Sequence, residues 1–317
     1  MICPHGSPWV SCTAWHPSWI SREFYSEHKL KPAPFDYAKP NSAAEVFGLL
    51  GQYGDDARLL AGGQSLLASL NMRLSAPAIL IDITGLEPLR GIVNNNGVLR
   101  IGALTTYAQV KASAEVVRAA PLLSEVIPWI AHPAIRNRGT IGGSLAHADP
   151  AAEMPACMLA LDAQLEIAAK GGSRKVAAAN FFRGLFETDL KPGEMLTAIE
   201  VPAIRANYRS SFSEFARRRG DFAMSGLAAH ARFDGEVLRD VRLVYCGVDT
   251  RPVRVRTAEQ VLEGRSLSRE VLAEVKAALA QDLDPPDDLQ ATGQMKLHLS
   301  QVLVERVLTA MARAEGR

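Results

Sequence analysis

Two glycine-rich stretches contain the residue types that bind phosphate and ribose. The first glycine segment is Ala61-Gly-Gly-Gln-Ser-Leu-Leu67, and the second glycine segment is Thr140-Ile-Gly-Gly-Ser-Leu-Ala-His-Ala-Asp-Pro-Ala-Ala-Glu153. Their glycines let the backbone approach a ligand closely, and small polar side chains stand among them. Two such segments in one chain indicate a large anionic cofactor that is held from two sides.

Neither segment is a common nucleotide-binding loop, because the chain contains no G-x-x-x-x-G-K-[ST] and no G-x-G-x-x-G. In residues 61–67 a predicted strand ends, the chain turns at the glycines, and a helix begins. This pattern is typical of an anion-binding nest and also of an ordinary strand–helix turn. In the second segment, Asp149 before Pro150 suits a helix N-cap, and Glu153 suits the first helical turn. Glu153 is equally suited to ribose hydroxyls, so spacing leaves both alternatives open.

The elements that must position these segments alternate between helices and strands. Ser42 and Glu45 form a capping box that opens a helix, and the turn ending in Asn96-Gly97 predicts a hairpin. A strand at 58–61 runs into the first segment, and a helix at 65–73 follows it. The second segment is predicted as a loop. Further strands are predicted near 78–83, 92–93, 98–101, 163–169 and 195–201, and further helices near 105–118, 121–130 and 150–161.

A second unit is predicted from residue 206 to residue 317. Its strands are expected at 212–215, 223–233 and 237–248, and its helices at 257–263, 268–281 and 292–315. In the last helix, Leu297, Val304, Leu308 and Met311 recur at helical spacing, which predicts a core-facing stripe.

Composition narrows the class of protein. The chain has 317 residues, 48% of them hydrophobic, and a net charge of +1, which points to no nucleic-acid partner. No run reaches the roughly 18–20 apolar residues of a membrane span. The four cysteines, at 3, 12, 157 and 246, are too scattered for a disulfide framework, which favours a reducing, cytoplasmic compartment.

The N-terminal 29 residues differ from the rest of the chain. They contain Trp9, Trp15 and Trp19 and show no clear periodicity. The residues Cys3, His5, Cys12 and His16 fit no common zinc spacing. We therefore interpret residues 1–29 as a poorly ordered extension, and we predict no metal site.

The two glycine segments, in this order, closely resemble the FAD-binding medium subunit of molybdenum hydroxylases. That family includes xanthine dehydrogenase and the aerobic carbon monoxide dehydrogenase type. The resemblance runs from about residue 30 to the C-terminus. Other matching stretches are Lys31–Tyr37, Leu80–Ile83, Ile135–Gly139, Leu190–Pro202 and Arg219–Ala223.

The resemblance implies an α+β fold. Residues 30–205 would form a two-lobed FAD-binding domain of the vanillyl-alcohol-oxidase (PCMH) type, with lobes at about 30–88 and 89–205. Residues 206–317 would form a smaller α+β C-terminal domain of the carbon monoxide dehydrogenase flavoprotein type, with an antiparallel sheet and helices.

The resemblance also implies which residues bind FAD. Backbone amides of the first segment would hold the pyrophosphate, Glu153 would lie near the adenosine, and Leu190 would pack near the rings. The first segment supplies Ala61, Gly62, Gly63, Gln64, Ser65, Leu66 and Leu67, and the second supplies Thr140, Gly143, Ser144, His147 and Asp149 to the diphosphate and ribityl region.

Two positions depart from the family pattern. Ala216 stands where a family lysine contacts the flavin, with Arg217 or Arg218 as substitutes. Gln64 stands where carbon monoxide dehydrogenases have histidine. Arg136 and Arg138 either offset the negative charge of the reduced flavin or are two solvated arginines in a loop.

The function implied is electron transfer from 2Fe–2S clusters through FAD to an external acceptor, with no catalytic acid or base in this chain. No C-x₄-C-x₂-C pattern is present. The clusters would therefore lie in a small subunit and the molybdenum cofactor, which selects the substrate, in a large one, within a dimer of heterotrimers. Two alternatives are a stand-alone flavin oxidase or reductase of the same fold and a cofactor-free scaffold subunit.

Overall fold

The first lobe is a small parallel sheet with two helices, in a computed structural model that describes residues 31–313. Its elements are β1 (Asp36–Ala38), α1 (Ala43–Tyr53), β2 (Ala57–Leu60), α2 (Leu66–Asn71) and β3 (Ile79–Asp82). The strands lie in the order β1, β3, β2, and both pairs are parallel. The extension predicted for residues 1–29 lies outside the described residues.

The helix α1 forms where the sequence predicts it. Ser42 Oγ accepts a hydrogen bond from Glu45 N at 3.3 Å, and Glu45 Oε2 accepts one from Asn41 N at 3.0 Å. The first bond satisfies an amide that the start of a helix leaves without a partner, whereas the second reaches the residue before the cap, so only the Ser42 half of the predicted capping box forms. Val46 and Leu50 are buried in the core of the first lobe.

The second lobe is built on a five-stranded antiparallel sheet in the order β4, β5, β10, β6, β7, with short helices packed against it. Its strands are β4 (Ile92–Asn95), β5 (Val98–Gly102), β6 (Gln164–Ala169), β7 (Gly172–Ala177), β8 (Phe182–Gly184), β9 (Glu187–Thr188) and β10 (Met195–Pro202). Its helices are α3 (Tyr107–Ala112), α4 (Ala114–Ala119), α5 (Pro121–Val126), α6 (Pro133–Arg136), α7 (Ile141–His147), α8 (Glu153–Ala160) and α9 (Ala178–Phe181). The hairpin turn between β4 and β5 is confirmed, since Asn96 and Gly97 adopt φ values of 51° and 81°.

The C-terminal unit is an antiparallel sheet whose two faces are both covered by helices. Its elements are β11 (Tyr208–Phe215), β12 (Ser225–Asp234), β13 (Val237–Cys246), β14 (Val253–Arg254), α10 (Arg256–Leu262), α11 (Arg269–Asp282) and α12 (Gly293–Arg313). Leu227 and Ala229 of β12 belong to the core formed with α10, α11 and α12, whereas Ala228 belongs to the core of the second lobe. The stripe predicted on the last helix is confirmed, because Val304 and Leu308 are buried in that core.

The glycines of the second segment lie in a helix, α7, where the sequence indicated a loop. Glycine inside a helix costs about 0.5–1 kcal/mol relative to alanine, which argued against a helix. A Cβ added at Gly142 would lie 2.5 Å from the Ala103 Cβ, so this turn of helix packs directly on the strand end below it. Tertiary packing therefore outweighs the local preference.

The predicted helix start at Asp149-Pro150 is wrong, because α8 begins at Glu153. Asp149 Oδ1 instead accepts a hydrogen bond from Ala151 N at 2.9 Å, in a turn between α7 and α8. The strands β7, β8 and β9 were not predicted either. No helix within residues 31–313 is long and apolar enough to span a bilayer.

Leu303→Ala tests the core of the C-terminal unit. The Leu303 side chain is fully buried on α12, so its truncation is expected to lower the free energy of unfolding by about 2–5 kcal/mol in chemical denaturation. The matched control is Leu289→Ala, since Leu289 is 100% exposed, and its effect should stay within about 0.5 kcal/mol. Equal losses for the two variants would contradict this packing.

Candidate cofactor-binding site

The first glycine segment presents a run of free backbone amides. It connects β2, which ends at Leu60, with α2, which begins at Leu66, and Gly63 turns the chain with a φ of 72°. Among residues 31–313, the amides from Gly62 to Leu66 donate to no acceptor, while the Gln64 side chain donates to Gly62 O at 3.1 Å. Consecutive free amides concentrate partial positive charge, which is the property of a phosphate-binding nest.

The second glycine segment uses its amides inside the protein. Thr140 caps α7, since its Oγ1 accepts a hydrogen bond from Gly143 N at 3.2 Å. Gly142 N donates to Ala103 O at 2.9 Å, and Ser144 N donates to Thr140 O at 3.1 Å. This segment therefore offers a ligand its side chains rather than a second nest.

The two segments are in direct contact. A Cβ added at Gly62 would lie 2.2 Å from Arg138 O and 2.9 Å from Gly139 Cα. A Cβ added at Gly143 would lie 3.7 Å from the Ala61 Cβ. Position 62 must be glycine because the two backbones approach so closely there. The same contact places the free amides of the first segment beside α7.

His147 and Leu190 lie near the hairpin of β8 and β9, which α7 contacts. The His147 ring centroid is 5.0 Å from that of Phe186, and Leu190 N donates to Thr188 Oγ1 at 3.3 Å. Both predicted residues are half-buried.

Glu153, the first residue of α8, is a carboxylic acid in the interior. It is only 7% exposed. Burial, and after it the negative charge of Asp149, raise the pKa of Glu153 to about 7. At neutral pH this carboxyl can therefore either donate or accept a hydrogen bond to a ligand hydroxyl.

A second interior acid, Glu214 of β11, was missed by the sequence analysis. It is 7% exposed, and within residues 31–313 neither carboxyl oxygen has a hydrogen-bond partner. Burial, followed by the charge of Glu153, raises the pKa of Glu214 to about 8, so it is mainly protonated at neutral pH. The only signal in the sequence was strand alternation, which puts Glu214 on the face of the apolar Phe212.

The loop after β11 packs on the residues that precede α6. Gly220 adopts a φ of 89°, and a Cβ there would lie 2.7 Å from Ala131 O. The Arg219 guanidinium lies 5.8 Å from the Trp129 ring centroid. This contact between the C-terminal unit and the second lobe includes part of the matching stretch Arg219–Ala223.

The arginines singled out in the sequence differ in their contacts. Arg136 Nη1 donates to Ile127 O at 3.0 Å, which ties this side chain to the end of α5. Arg217 donates to backbone carbonyls ahead of α12. Arg138 and Arg218 are exposed, so they remain accessible to a ligand.

Other reactive groups have structural roles. Cys157 and Cys246 are fully buried, and burial raises the pKa of both thiols, which keeps them protonated and unreactive. No cluster of three or more His, Cys, Asp or Glu residues suited to a metal ion occurs in residues 31–313.

Two family models match the chain. The FAD binding domain in molybdopterin dehydrogenase matches residues 33–204, and the CO dehydrogenase flavoprotein C-terminal domain matches residues 210–311.

Curated proteins and solved structures match over most of the chain. The 6-hydroxypseudooxynicotine dehydrogenase complex subunit alpha of Paenarthrobacter nicotinovorans is 39% identical, over 90% of this chain and 97% of its own length. A carbon monoxide dehydrogenase from Hydrogenophaga pseudoflava, lacking the Mo-pyranopterin moiety of its cofactor, aligns with a TM-score of 0.86 at 36% identity, over 88% of this chain and 98% of that one. Quinoline 2-oxidoreductase from Pseudomonas putida 86 aligns with a TM-score of 0.85 at 36% identity, over 89% of this chain and 98% of that one.

The unpartnered Glu214 predicts how stability depends on pH. Because its pKa is raised above that of an unfolded chain, its contribution to stability is full below about pH 4.5 and is lost as pH rises through about 8. The cofactor-free chain should therefore lose stability across that window, and Glu214→Gln should flatten the loss. Denaturation midpoints measured at several pH values check this, and parallel curves for the two proteins would refute it.

Proposed function

Because the chain belongs to the family of FAD-binding subunits of molybdopterin dehydrogenases, we propose that it transfers electrons from 2Fe–2S clusters through FAD to an external acceptor. The chain is an FAD-dependent oxidoreductase subunit, and its cofactor is FAD. The observation that best supports FAD as the carrier in this path is the nest of free amides in the first glycine segment, which fits the FAD diphosphate.

We propose that the two glycine segments bind different parts of FAD. The amides from Gly62 to Leu66 would hold the pyrophosphate, since their partial positive charges oppose its negative charges. Glu153 would meet the adenosine, and Leu190 would pack near the rings. The remaining proposed contacts, to the diphosphate and ribityl chain, are Thr140, Gly143, Ser144, His147 and Asp149.

The chain's own contribution is position and electrostatics. Bound FAD supplies the redox chemistry, since a flavin takes up electrons and passes them on. We assign no acid or base to substrate chemistry in this chain. The exposed Arg138 and Arg218 would add positive charge near a cofactor that becomes more negative on reduction.

We further propose that the electron donors lie on other chains. The relatives include a subunit of a dehydrogenase complex, and within residues 31–313 no metal-binding cluster is present. A small subunit with 2Fe–2S clusters and a large subunit with the molybdenum cofactor would complete a heterotrimer, which would pair into a dimer of heterotrimers. The scattered cysteines support assembly in the cytoplasm.

Gly62→Ala should weaken FAD binding. The added Cβ would meet Arg138 O and force the two segments apart. The expected result is a rise of about tenfold or more in the FAD dissociation constant, measured by flavin absorbance and fluorescence titration. Gly143→Leu should act in the same direction, because a Cβ there would lie 2.7 Å from Thr140 Oγ1.

The matched control is Gly48→Ala on α1, where an added Cβ would meet nothing within 4 Å. This variant should keep its FAD and gain about 0.5–1 kcal/mol of stability. Normal flavin content in both Gly62→Ala and Gly143→Leu would show that FAD is held elsewhere.

Purification from the native host tests the proposed electron path. An affinity-tagged full chain should co-purify with one chain that shows iron–sulfur absorbance and one chain that contains molybdenum. Substrate should bleach the flavin only when both are present. Direct bleaching of the isolated chain by substrate would support a stand-alone oxidase or reductase instead, and a colourless preparation would support a scaffold.

A further inference from the structure

Two buried acids connect the C-terminal sheet to the proposed cofactor site. Glu153 opens α8, which packs on β12 and β13, and Glu214 lies on β11, which pairs with β12. Gly247 N, just after β13, donates to Pro150 O ahead of α8 at 2.8 Å, and a Cβ added at Gly226 would lie 2.7 Å from Cys246 Sγ and 3.3 Å from Glu214 Cβ. These contacts bring the two acids to the same end of β13, where the charge of Glu153 raises the pKa of Glu214. The second lobe contributes one acid and the C-terminal unit the other.

The groups around this acid pair are themselves acids. They are Asp149 before α8, Tyr107 on α3, Glu125 on α5, Cys157 on α8 and Cys246 on β13. Glu125 is engaged elsewhere, because its Oε1 accepts hydrogen bonds from Ser211 Oγ at 2.9 Å and Phe212 N at 3.0 Å.

The basic side chains on the elements packed against α8 contact other groups. Arg242 on β13 pairs with Asp162 at 2.8 Å, beyond the far end of α8, and Arg254 on β14 pairs with Glu259 at 2.7 Å. His230 on β12 is hydrogen-bonded to Ser210, and His147 on α7 lies against Phe186. On α12, which packs on β11, Lys296 pairs with Asp288 at 2.7 Å and Arg306 lies over the Phe215 ring. In the described part of the chain, no positive charge therefore compensates the acid pair.

Two like charges buried without compensation repel each other and lose their hydration. The pair therefore titrates as a unit, and at neutral pH it retains at least part of a proton. Glu214 is the better place for that proton, because both of its oxygens are buried and, within residues 31–313, have no hydrogen-bond partner. Glu153 is the acid that the proposed function places at the adenosine.

We propose that Glu214 sets the upper end of the pH range over which Glu153 binds the cofactor. While Glu214 is protonated, it leaves Glu153 free to release its own proton to solvent and accept hydrogen bonds from the adenosine hydroxyls of FAD; once Glu214 ionises, its charge opposes that of Glu153. The inference rests on the proposed function, since it assumes that Glu153 meets FAD. Only a proton moves in this step, and no electron is transferred.

The proposal predicts a two-sided dependence of FAD affinity on pH. Affinity should rise towards pH 7, where Glu153 ionises, by up to about tenfold per pH unit. It should fall again above about pH 8, where Glu214 ionises and opposes the charge on Glu153. FAD binding on the rising limb should release a proton.

The test is FAD titration of the cofactor-depleted full chain by fluorescence, from about pH 5.5 to about pH 9, with proton release measured by calorimetry in two buffers. Glu214→Gln and Glu214→Met both lack the ionisation, so each should keep the rising limb and lose the falling one. Glu125→Gln is the matched control, because it removes a neighbouring acid that has its own partners, and it should keep both limbs. Glu153→Gln should bind FAD more weakly and lose the rising limb.

The outcomes separate the proposal from the function on which it rests. A falling limb that persists in both Glu214 variants, or that is absent from the wild-type chain, overturns the role of Glu214 alone. A wild-type chain that binds no FAD at any pH overturns the proposed function, and the role of Glu214 with it. Loss of the falling limb in both Glu214 variants and its retention in Glu125→Gln support the proposal.

Discussion

The geometry of the site depends on one contact between two backbones. Gly62 lies so close to Arg138 O that no side chain fits between them. Gly62 follows a strand of the parallel sheet, and Arg138 precedes the helix α7 of the second lobe. The contact therefore joins the two lobes at the point where the free amides turn. A separation of a few tenths of an ångström would leave the amides intact but would change their position relative to α7.

Two segments of similar composition have different roles because their amides have different partners. In the first segment the amides from Gly62 to Leu66 are free within the described part of the chain, whereas those at the start of α7 are bonded to Ala103 and Thr140. A ligand can be bound by the first set, while the second set stabilises the surface on which a ligand would rest. Glycine content alone does not distinguish these roles, since both segments contain a Gly-Gly pair.

Local chemistry explains which elements were predictable. The cap at Ser42 and the turn at Asn96-Gly97 depend on side chains and φ values within a few residues, and both were predicted correctly. The helix α7 was not predicted, because its glycines are stabilised by packing on Ala103, about 40 residues away in sequence. The importance of Glu214 was also hidden, because its proximity to Glu153 arises only when the C-terminal sheet packs on α8.

The C-terminal sheet makes the surroundings of Glu214 unfavourable for a charge. Both faces of β12 are covered, so the sheet offers the second lobe an almost dry surface, and among residues 31–313 Glu214 has no polar partner there. A fully apolar residue would pack there without the desolvation that Glu214 suffers when it ionises. The acid therefore has no packing advantage, and its position beside Glu153 is the feature that distinguishes it from an apolar residue of similar volume. The cost is smallest when Glu214 is protonated, which is also the state in which it leaves Glu153 free to carry a charge.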